Sequence, residues 1–434
     1  MESNIRKGLL QFVFSGAYMK RWNDKLRPME LIEIDKQAHK MIVAWMLCQI
    51  HGKTMTPADK LALEESVVEG GIFDYLFRLI ITDIKPPILY RIKENHAHFQ
   101  ELAKWAIIEI EPHLRPLNEE FWNRFKRYVL QEQTSGKAAD ILAAAHLFSS
   151  VWEFRLLQSM NGAFDDELPE IDRRFTEQLE EFRHVQGMSV LIDGLALAAR
   201  HRCGNTPDDS PPNIDPLARV ANLCGQLRFQ KRWSQTPRIP ETSVMGHMFI
   251  VACYSFFVSM ALGACPARRV NNFFCGLFHD LPELLTRDII SPVKKSFEDL
   301  GKIIREYENQ ELERRFFTPL NNGGYQCITE RLGYYLGLTT DSEFDETIID
   351  AKGRVKKVDF NALQLTYNKD HFDPKDGIAV KTCDILAAYI EAYTAIRNGI
   401  TADHIQQAFW RMREQYSKCT LGTLHVGALF TDFD

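Results

Sequence analysis

Residues 276–294, GLFHDLPELLTRDIISPVK, are the stretch of sequence on which both the fold and the site depend. The stretch places His279 beside Asp280, and Glu283 follows four residues after the histidine. Side chains three and four residues apart lie on one face of a helix, so a helix here would gather the three polar groups within one turn. A purely structural helix seldom collects them in this way. The stretch therefore predicts a chemical site carried by a helix.

Apolar residues recur at spacings of three and four along most of the remaining chain, as in residues 41–46, 249–257 and 385–390. This is helical periodicity. Pro266 suits the first turn of a helix, and Thr242 or Ser243 could cap the helix before it. We therefore predict an all-α fold.

The composition is that of an ordinary soluble globular protein. The chain has 434 residues, of which 45% are hydrophobic and 25% are charged, and this length predicts two or three domains. Lys and Arg number 52 against 58 Asp and Glu, a formal charge of -6, with no long block of one sign. This balance argues against a nucleic-acid partner bound through counterion release.

We expect a cytoplasmic protein with no membrane partner. A bilayer span needs roughly 18–20 apolar residues, and Ser255 and Ser259 interrupt the longest candidates. Residues 9–18 lack a small-residue cleavage site and are predicted to form the first helix. The nine cysteines include no C-x-x-C pair and are expected to be reduced core residues.

Residues 204–212, GNTPDDSPP, favour turns and divide the chain near its middle. Three motifs recur in the same order on both sides of this break, one of them at a constant offset of 205 residues. The motifs begin at Arg21, Gly71 and Lys137 in the first half and at Arg232, Gly276 and Lys381 in the second. We therefore predict two tandem, related helical domains at residues 1–203 and 217–434, joined by a linker at 204–216.

The second half is longer than the first by an insertion at about residues 320–372. Residues 354–365 alternate between apolar and polar types, which predicts minor strand content within the insertion. The insertion could be a lid or a partner surface, or it could be functionally silent.

The two halves differ in their chemistry. The first half keeps a histidine and an aspartate at aligned positions, His39 and Asp140, but has Asp74 and Tyr75 in place of the His-Asp pair and Arg78 in place of the glutamate. Two ligands cannot hold a catalytic metal, and a cation would stand where a carboxylate is needed to activate water. The first half is therefore predicted to be degenerate and non-catalytic.

Two histidines and two aspartates of the second half are the candidate metal ligands: His247, His279, Asp280 and Asp384. Mixed imidazole and carboxylate ligands suit a divalent ion such as Mn, Co, Fe, Ni, Zn or Mg, and leave positions for water and substrate. Such an ion would acidify its water and neutralise phosphate oxygens. The alternative is that His279 and Asp280 cap a helix end and form a surface pair.

The order H…HD…D resembles that of the HD-domain metal-dependent phosphohydrolase superfamily. The longer pattern of Arg232-Trp233, then His247, then residues 279–294 is similar to the bacterial 5′-deoxynucleotidase family and its close relatives. The resemblance covers residues 217–300 and 375–395. It implies that the four candidate ligands hold the metal and that Glu283 orients or deprotonates the attacking water.

The same resemblance implies the contacts with substrate. Asp288 would assist near the leaving-group oxygen or the sugar, Arg232 would contact the phosphate, and Trp233 would crowd the sugar 2′ position. Lys294 could add charge near the phosphate. Structural alternatives remain open, because Asp288 could cap a helix, Trp233 could anchor a core and Lys294 could be a solvated lysine.

The resemblance therefore implies a metal-dependent phosphohydrolase that acts on a nucleoside 5′-monophosphate, with deoxyribose preferred. Hydrolysis of a nucleoside triphosphate, a cyclic nucleotide or a guanosine polyphosphate is an alternative, as is a non-catalytic scaffold or ligand sensor. Members of the family are usually single units that pair as dimers, so the tandem arrangement predicts a pseudo-dimer within one chain. A regulatory nucleotide site in the first half is the rival interpretation.

Overall fold

A computed structural model describes residues 5–130, 135–161, 165–202, 213–287, 299–340 and 342–433. Helices dominate both halves, which confirms the predicted all-α class. The helices of the first half are α1 (Lys7–Phe14), α2 (Glu33–Gly52), α3 (Pro57–Ile81), α4 (Pro86–Glu94), α5 (His96–Leu114), α6 (Glu119–Val129), α7 (Lys137–Asn161), α8 (Leu168–Glu181) and α9 (Met188–Arg202). Those of the second half are α10 (Pro216–Gly225), α11 (Val244–Ala261), α12 (Pro266–Phe278), α13 (Glu283–Thr286), α14 (Leu300–Leu312), α15 (Thr318–Asn322), α16 (Gln326–Tyr335), α17 (Phe360–Leu365), α18 (Gly377–Arg397), α19 (Asp403–Tyr416) and α20 (Val426–Thr431).

Two short antiparallel ladders lie between the helices. Strand β1 (Lys20–Arg21) pairs with β2 (Leu31–Ile32), which the sequence did not predict. Strand β3 (Thr347–Ile349) pairs with β4 (Val355–Lys357) inside the predicted insertion, where minor strand content was expected. The predicted strand-like stretch, residues 354–365, was too long. Asp359 accepts a hydrogen bond from the Ala362 amide and caps helix α17, so the second part of the stretch is helical.

Helix α11 is the central helix of the second half. Its cap is Ser243, whose hydroxyl accepts a hydrogen bond from the Gly246 amide, as predicted. Helix α12 begins with Pro266 in its first turn, also as predicted, and packs directly against α11. The close approach requires Gly276, because a Cβ at that position would lie 2.9 Å from the backbone of Ala252. The middle of α11 and the end of α12 are thereby held together.

The expectation that no segment is long and apolar enough to cross a membrane was wrong. Helix α11 has 18 residues and a mean hydropathy of 1.7. Its serines do not interrupt it, because the Ser259 hydroxyl donates to the Ser255 carbonyl at 2.6 Å within the helix. In the fold 89% of this helix is buried, and a core helix passes the same test of length and composition.

The larger hydrophobic core contains residues of both halves. Trp45 of α2 packs against Phe278 of α12 with ring centroids 4.6 Å apart, and Tyr75 of α3 packs edge-on against Phe249 of α11 at 4.9 Å. The halves therefore share apolar packing across α2, α3, α11 and α12. The predicted domain boundaries remain predictions, and residues 203–212 of the predicted linker region lie outside the described residues.

Candidate metal centre

Four polar side chains carried by two helices and one turn converge in the second half. His247 lies in the first turn of α11, His279 and Asp280 directly follow α12, and Asp384 lies on α18. One ligand atom each of His247, His279 and Asp280 can be chosen so that all three lie within 4.8 Å of one another. Asp384 Oδ1 lies 3.0 Å from His247 Nε2 and 3.8 Å from His279 Nε2. The structure thus brings all four predicted ligands together.

The helix ends fix how His247 and His279 are presented. The Ser243 cap starts the helical turn that carries His247. His279 Nδ1 donates to the Gly276 carbonyl at 2.8 Å, so its other nitrogen, Nε2, faces the carboxylates and lies 3.2 Å from Asp280 Oδ2. A hydrogen bond of this kind on the far nitrogen orients the ring of a metal-binding histidine and fixes its tautomer.

The charges of the cluster are strongly coupled. Burial lowers the pKa of His279, but the neighbouring carboxylates of Asp280 and Asp384 raise it to about 9 overall. Burial raises the pKa of Asp280, yet His279 and Arg232 bring it below its usual range. The pKa of Asp384 is also well below its usual range despite burial, because it faces His247. At neutral pH both carboxylates are therefore ionised, and His279 holds a proton.

This donor set fits a divalent cation. His279 Nε2 is buried and, among the residues that the structure describes, makes no hydrogen bond. Two imidazoles and two ionised carboxylates combine nitrogen donors with enough negative charge to neutralise a 2+ ion. The charge contact of His279 Nε2 with Asp280 Oδ2, at 3.2 Å, does not have hydrogen-bond geometry, so a cation held by these residues would give Nε2 a direct partner. The choice among the metals named above remains a prediction.

Metal binding should become tighter as the pH rises. A cation has to displace the proton of His279, whose pKa in the metal-free protein is raised to about 9, so the proton is retained throughout the neutral range. Below that pKa we expect the Kd for Mn²⁺ to fall about tenfold for each unit of pH. Calorimetric titration in buffers of different ionisation enthalpy would measure both the Kd and the proton release. A Kd that did not change with pH, with no proton released, would contradict this expectation.

A buried glutamate that the sequence analysis missed lies behind the ligands. Glu391 of α18 accepts a hydrogen bond from Trp233 Nε1 at 2.9 Å. Its carboxylate oxygens also lie 3.5 Å from His247 Nδ1 and 3.5 Å from Arg232 Nε. Burial would raise the pKa of Glu391, but Arg238 and Arg232 hold it well below its usual range. One carboxylate thus contacts a candidate ligand histidine and two of the three predicted substrate contacts, Arg232 and Trp233.

A lysine beside the ligands was also missed as a site residue. Lys381 Nζ donates to Asp384 Oδ2 at 2.8 Å and lies 4.4 Å from the centroid of the Phe344 ring. The sequence signal for both omissions was spacing along α18. Lys381 lies one helical turn before Asp384, and Glu391 lies two turns after it on the same face.

The predicted water-activating and phosphate-contacting residues lie around this cluster. Arg232 Nη1 donates to Asp280 Oδ2 at 3.1 Å. Glu283 is buried at the start of α13, where its amide donates to the Asp280 carbonyl at 3.0 Å. Burial lowers the pKa of Arg232, but the charges of Glu391, Asp280, Asp384 and Glu283 raise it above its usual value. Two further predicted residues, Asp288 and Lys294, lie outside the described residues.

In the first half, the alignment of His39 with His247 was wrong. His39 is buried, where its Nε2 donates to the Ala221 carbonyl at 2.9 Å and its Nδ1 accepts from Arg228 at 3.1 Å. Burial, followed by the charge of Arg228, lowers the pKa of His39 to about 3. His39 is therefore a neutral core histidine whose two ring nitrogens are both satisfied.

The alignment of Asp140 with Asp384 was also wrong. Asp140 lies in the first turn of α7, with 49% of its side chain exposed and its Oδ2 3.8 Å from His184 Nε2. It faces solvent and pairs with a surface histidine rather than with the buried residues of α2. Between α2 and α7 it is Lys36 that contacts His146, with 2.5 Å between Lys36 Nζ and His146 Nδ1.

Residues 224–413 match the family model of the HD domain. No curated protein and no solved structure matches the chain. The matched segment contains all four candidate ligands, and HD domains bind divalent metals and are generally hydrolases. The match confirms the predicted superfamily for this segment and supports metal-dependent phosphohydrolase activity in general. It does not extend to the first half.

Proposed function

We propose that the second half is a metal-dependent phosphohydrolase that removes the phosphate of a nucleoside 5′-monophosphate, with deoxyribose preferred. The observation that carries this proposal is the convergence of the four candidate ligands with the guanidinium of Arg232, which lies 3.1 Å from Asp280. A phosphate bound beside this cluster would be stabilised by the cation on one side and by a planar set of N–H donors on the other.

The residues around the cluster have separable tasks. When bound, a divalent cation supplies positive charge that polarises a phosphate oxygen and acidifies water. Arg232 exchanges its hydrogen bond with Asp280 for one with the phosphate, a change that its fork of donors allows. Glu283 is held next to Asp280 and can accept the proton of the attacking water. The roles of Asp288 at the leaving group and Lys294 at the phosphate are proposed from the sequence resemblance alone.

Trp233 is proposed to select the sugar. Its ring is fixed by the hydrogen bond to Glu391 and by the guanidinium of Arg238, which lies 5.7 Å from the ring centroid. The backbone at Trp233 has a φ of 55°, a conformation that non-glycine residues adopt rarely. A ring held in this way cannot move aside for an additional 2′-hydroxyl, so it would disfavour ribose by contact.

Phosphate release from paired ribonucleoside and deoxyribonucleoside 5′-monophosphates, with Mn²⁺, Co²⁺ or Mg²⁺ added, tests this proposal. We expect kcat/KM to be about tenfold or more higher for the deoxy substrates. Trp233→Ala should reduce that ratio by raising the rate with ribonucleotides. Trp22→Ala is the matched control, because Trp22 has nearly the same φ, 56°, but lies in the first half.

The panel also separates the alternatives. No release from any monophosphate by protein that holds metal would overturn the proposed substrate in favour of another phosphoester. No release by protein that holds no metal would favour a non-catalytic scaffold or ligand sensor. Loss of sugar preference in Trp22→Ala as well would exclude a specific role for Trp233.

We further propose that the two halves are copies of one unit that form a pseudo-dimer within the chain. Support comes from matching geometry around the two Arg-Trp pairs. Trp22 Nε1 donates to the buried Glu153 at 3.1 Å, as Trp233 Nε1 donates to the buried Glu391 at 2.9 Å. Arg21 Nε bonds to Glu153, and Arg232 Nε lies beside Glu391. The shared core of the two halves is the packing expected of a fused pair.

The proposed partner is a small-molecule phosphoester. Neither a nucleic acid nor a membrane is proposed, since the chain has a formal charge of -6 and its most apolar helix is largely buried. A cytoplasmic location is part of the same proposal, because the cysteine pattern suggests no disulfide framework.

A further inference from the structure

The two halves can be aligned by their backbone geometry instead of by sequence similarity. The first residues of α2 and α11, Glu33 and Val244, each donate an amide hydrogen bond to a carbonyl in the segment before the helix, both at 2.9 Å. Counting from these landmarks, the fourth residue is Lys36 in α2 and His247 in α11. A lysine therefore occupies the position of the first metal ligand.

A second landmark aligns the residue that is proposed to activate water. Thr82 and Arg287 both have a positive φ, of 56° and 66°, and each donates its amide to the carbonyl of the residue four positions earlier. Those earlier residues are Arg78 and Glu283. An arginine thus occupies the position of the water-activating carboxylate, as the sequence predicted.

The third landmark is the buried glutamate that receives the indole hydrogen bond in each half. Counting back seven residues from Glu153 gives His146, and counting back seven from Glu391 gives Asp384. The contact between helices agrees with this alignment. Lys36 Nζ lies 2.5 Å from His146 Nδ1, and His247 Nε2 lies 3.0 Å from Asp384 Oδ1. A neutral ring has therefore replaced a carboxylate ligand.

These replacements reverse the charge of the site. Lys36 is fully buried, and within the described ranges no carboxylate lies within 4.0 Å of its ammonium. Lys40, one turn further along α2, is also fully buried and pairs with Asp74. Arg78 Nη2 donates to Asp83 Oδ1 at 2.9 Å, and its Nε lies 3.6 Å from Glu33, a residue that the second half lacks at the start of α11. A metal cation would meet lysine and arginine here, whereas an anion would be stabilised.

Solvent reaches the replaced site. His146 is exposed, and 37% of the Asp74 side chain and 17% of the Arg78 side chain are accessible. Surrounding protein and then the charge of Lys36 hold the pKa of His146 well below its usual value. His146, Asp74 and Arg78 therefore lie at the solvent-facing edge of the replaced site, with the fully buried Lys36 and Lys40 behind them.

We propose that Lys36, Lys40, Arg78 and His146 form a binding site for a phosphate group in the first half, at the position that holds the metal ligands in the second half. The proposal rests on the duplication proposed above and goes beyond the hydrolytic function. Lys36 and Arg78 both act on the Glu33 carboxylate, and Lys36 and Lys40 both act on the His146 ring, so basic groups of α2 and α3 lie near one another. Donors on two helices suit a tetrahedral anion whose oxygens point in several directions. Burial holds the pKa of Lys36 well below its usual value, and a bound phosphate would favour the protonated form by giving its ammonium an anionic partner.

Direct binding to the full chain, freed of metal by chelation, tests the site. Every protein carries Arg232→Gln, so that the second half contributes little to phosphate binding. Inorganic phosphate and deoxyadenosine 5′-monophosphate are the two probes, titrated by calorimetry. Lys36→Met should weaken binding about tenfold or more, because it removes a buried charge-assisted donor and keeps the volume. The control Lys302→Met removes a lysine with 75% of its side chain exposed and should leave binding unchanged.

Equal affinity for the two probes would identify the phosphate group itself as the ligand, and tighter binding of the monophosphate would identify a nucleotide. If Lys36→Met does not fold, Arg78→Gln carries the test, since the Arg78 side chain is partly accessible. Binding of both probes that persists unchanged in the folded variants, or no binding in the Arg232→Gln background, would overturn the proposal. The readout is binding without metal, so failure of the hydrolytic function would leave it intact.

Discussion

Asp280→Ala should lower phosphate release about 1000-fold, because it removes a metal ligand and also the hydrogen-bond partner of Arg232. A cation contributes several kcal/mol of charge stabilisation to phosphoryl transfer, and each 1.4 kcal/mol corresponds to about a factor of ten in rate. The measurement is kcat/KM with the best deoxynucleoside monophosphate. Asp280 has 19% of its side chain exposed, so its loss should leave the fold intact.

Asp140→Ala is the matched control for this variant. Sequence similarity aligns Asp140 with Asp384, but Asp140 lies at the start of α7 beside His184. Its removal should leave kcat/KM within about twofold of the wild type, as is usual for a surface position. Equal losses of activity in the two variants would mean that Asp280 acts through general stability and not through the metal.

Glu391→Ala should destabilise the protein and also reduce its activity. The buried carboxylate compensates Arg232 and Arg238 and lies 3.5 Å from His247 Nδ1. Removing one partner from a buried set of charges costs about 3–5 kcal/mol, because the remaining cations stay buried with less compensating charge. We expect that decrease in the free energy of unfolding by urea, together with a lower kcat from a misplaced histidine ligand.

Glu153→Ala separates these two effects. Glu153 is fully buried and bonds to Arg228, Arg21 and Trp22, as Glu391 bonds to its own partners. A similar loss of stability is expected, but the metal ligands are untouched and kcat should be retained. A loss of kcat in Glu153→Ala equal to that in Glu391→Ala would argue that Glu391 has no specific role in positioning His247.

The cluster of candidate metal ligands could be predicted from the sequence because the chemistry is concentrated in short patterns. His279 and Asp280 are adjacent, and Glu283 follows four residues after the histidine. The prediction that one helix carries all three was wrong, because α12 ends at Phe278 and the pair lies in the turn before α13. Only His247 and Asp384 are distant in sequence from that pair, and they were predicted from their order before and after it. The apolar periodicity likewise predicted the helices, since a buried helix face requires apolar residues at these spacings.

The partners of the ligands could not be predicted in the same way. Glu391 bonds to Trp233 across 158 residues of sequence, and no local pattern links them. The predicted alignment of α7 with α18, which paired Asp140 with Asp384, was wrong for a related reason. The similar motifs that begin at Lys137 and Lys381 reflect apolar helix faces, which resemble each other in any register. In the proposed duplication, alignment of the buried Glu153 with Glu391 shifts the match between the two helices by six residues.

The apolar character of α11 was underestimated because serines were counted as interruptions. A serine in a helix can donate to a carbonyl of the preceding turn, as Ser259 does to Ser255, and the helix continues. The short ladder β1–β2 was missed because each strand has two residues, too few for alternation to be recognised.

Metal analysis of the wild type beside Asp280→Ala tests most directly whether the four ligands hold the cation on which the proposed hydrolysis depends. After equilibration with Mn²⁺ and removal of free ion, we predict about one Mn²⁺ per wild-type chain and less than about one tenth of that in the variant, because loss of a first-sphere carboxylate weakens binding strongly. A full equivalent of metal retained by Asp280→Ala, or none in the wild type, would contradict the assignment of this centre.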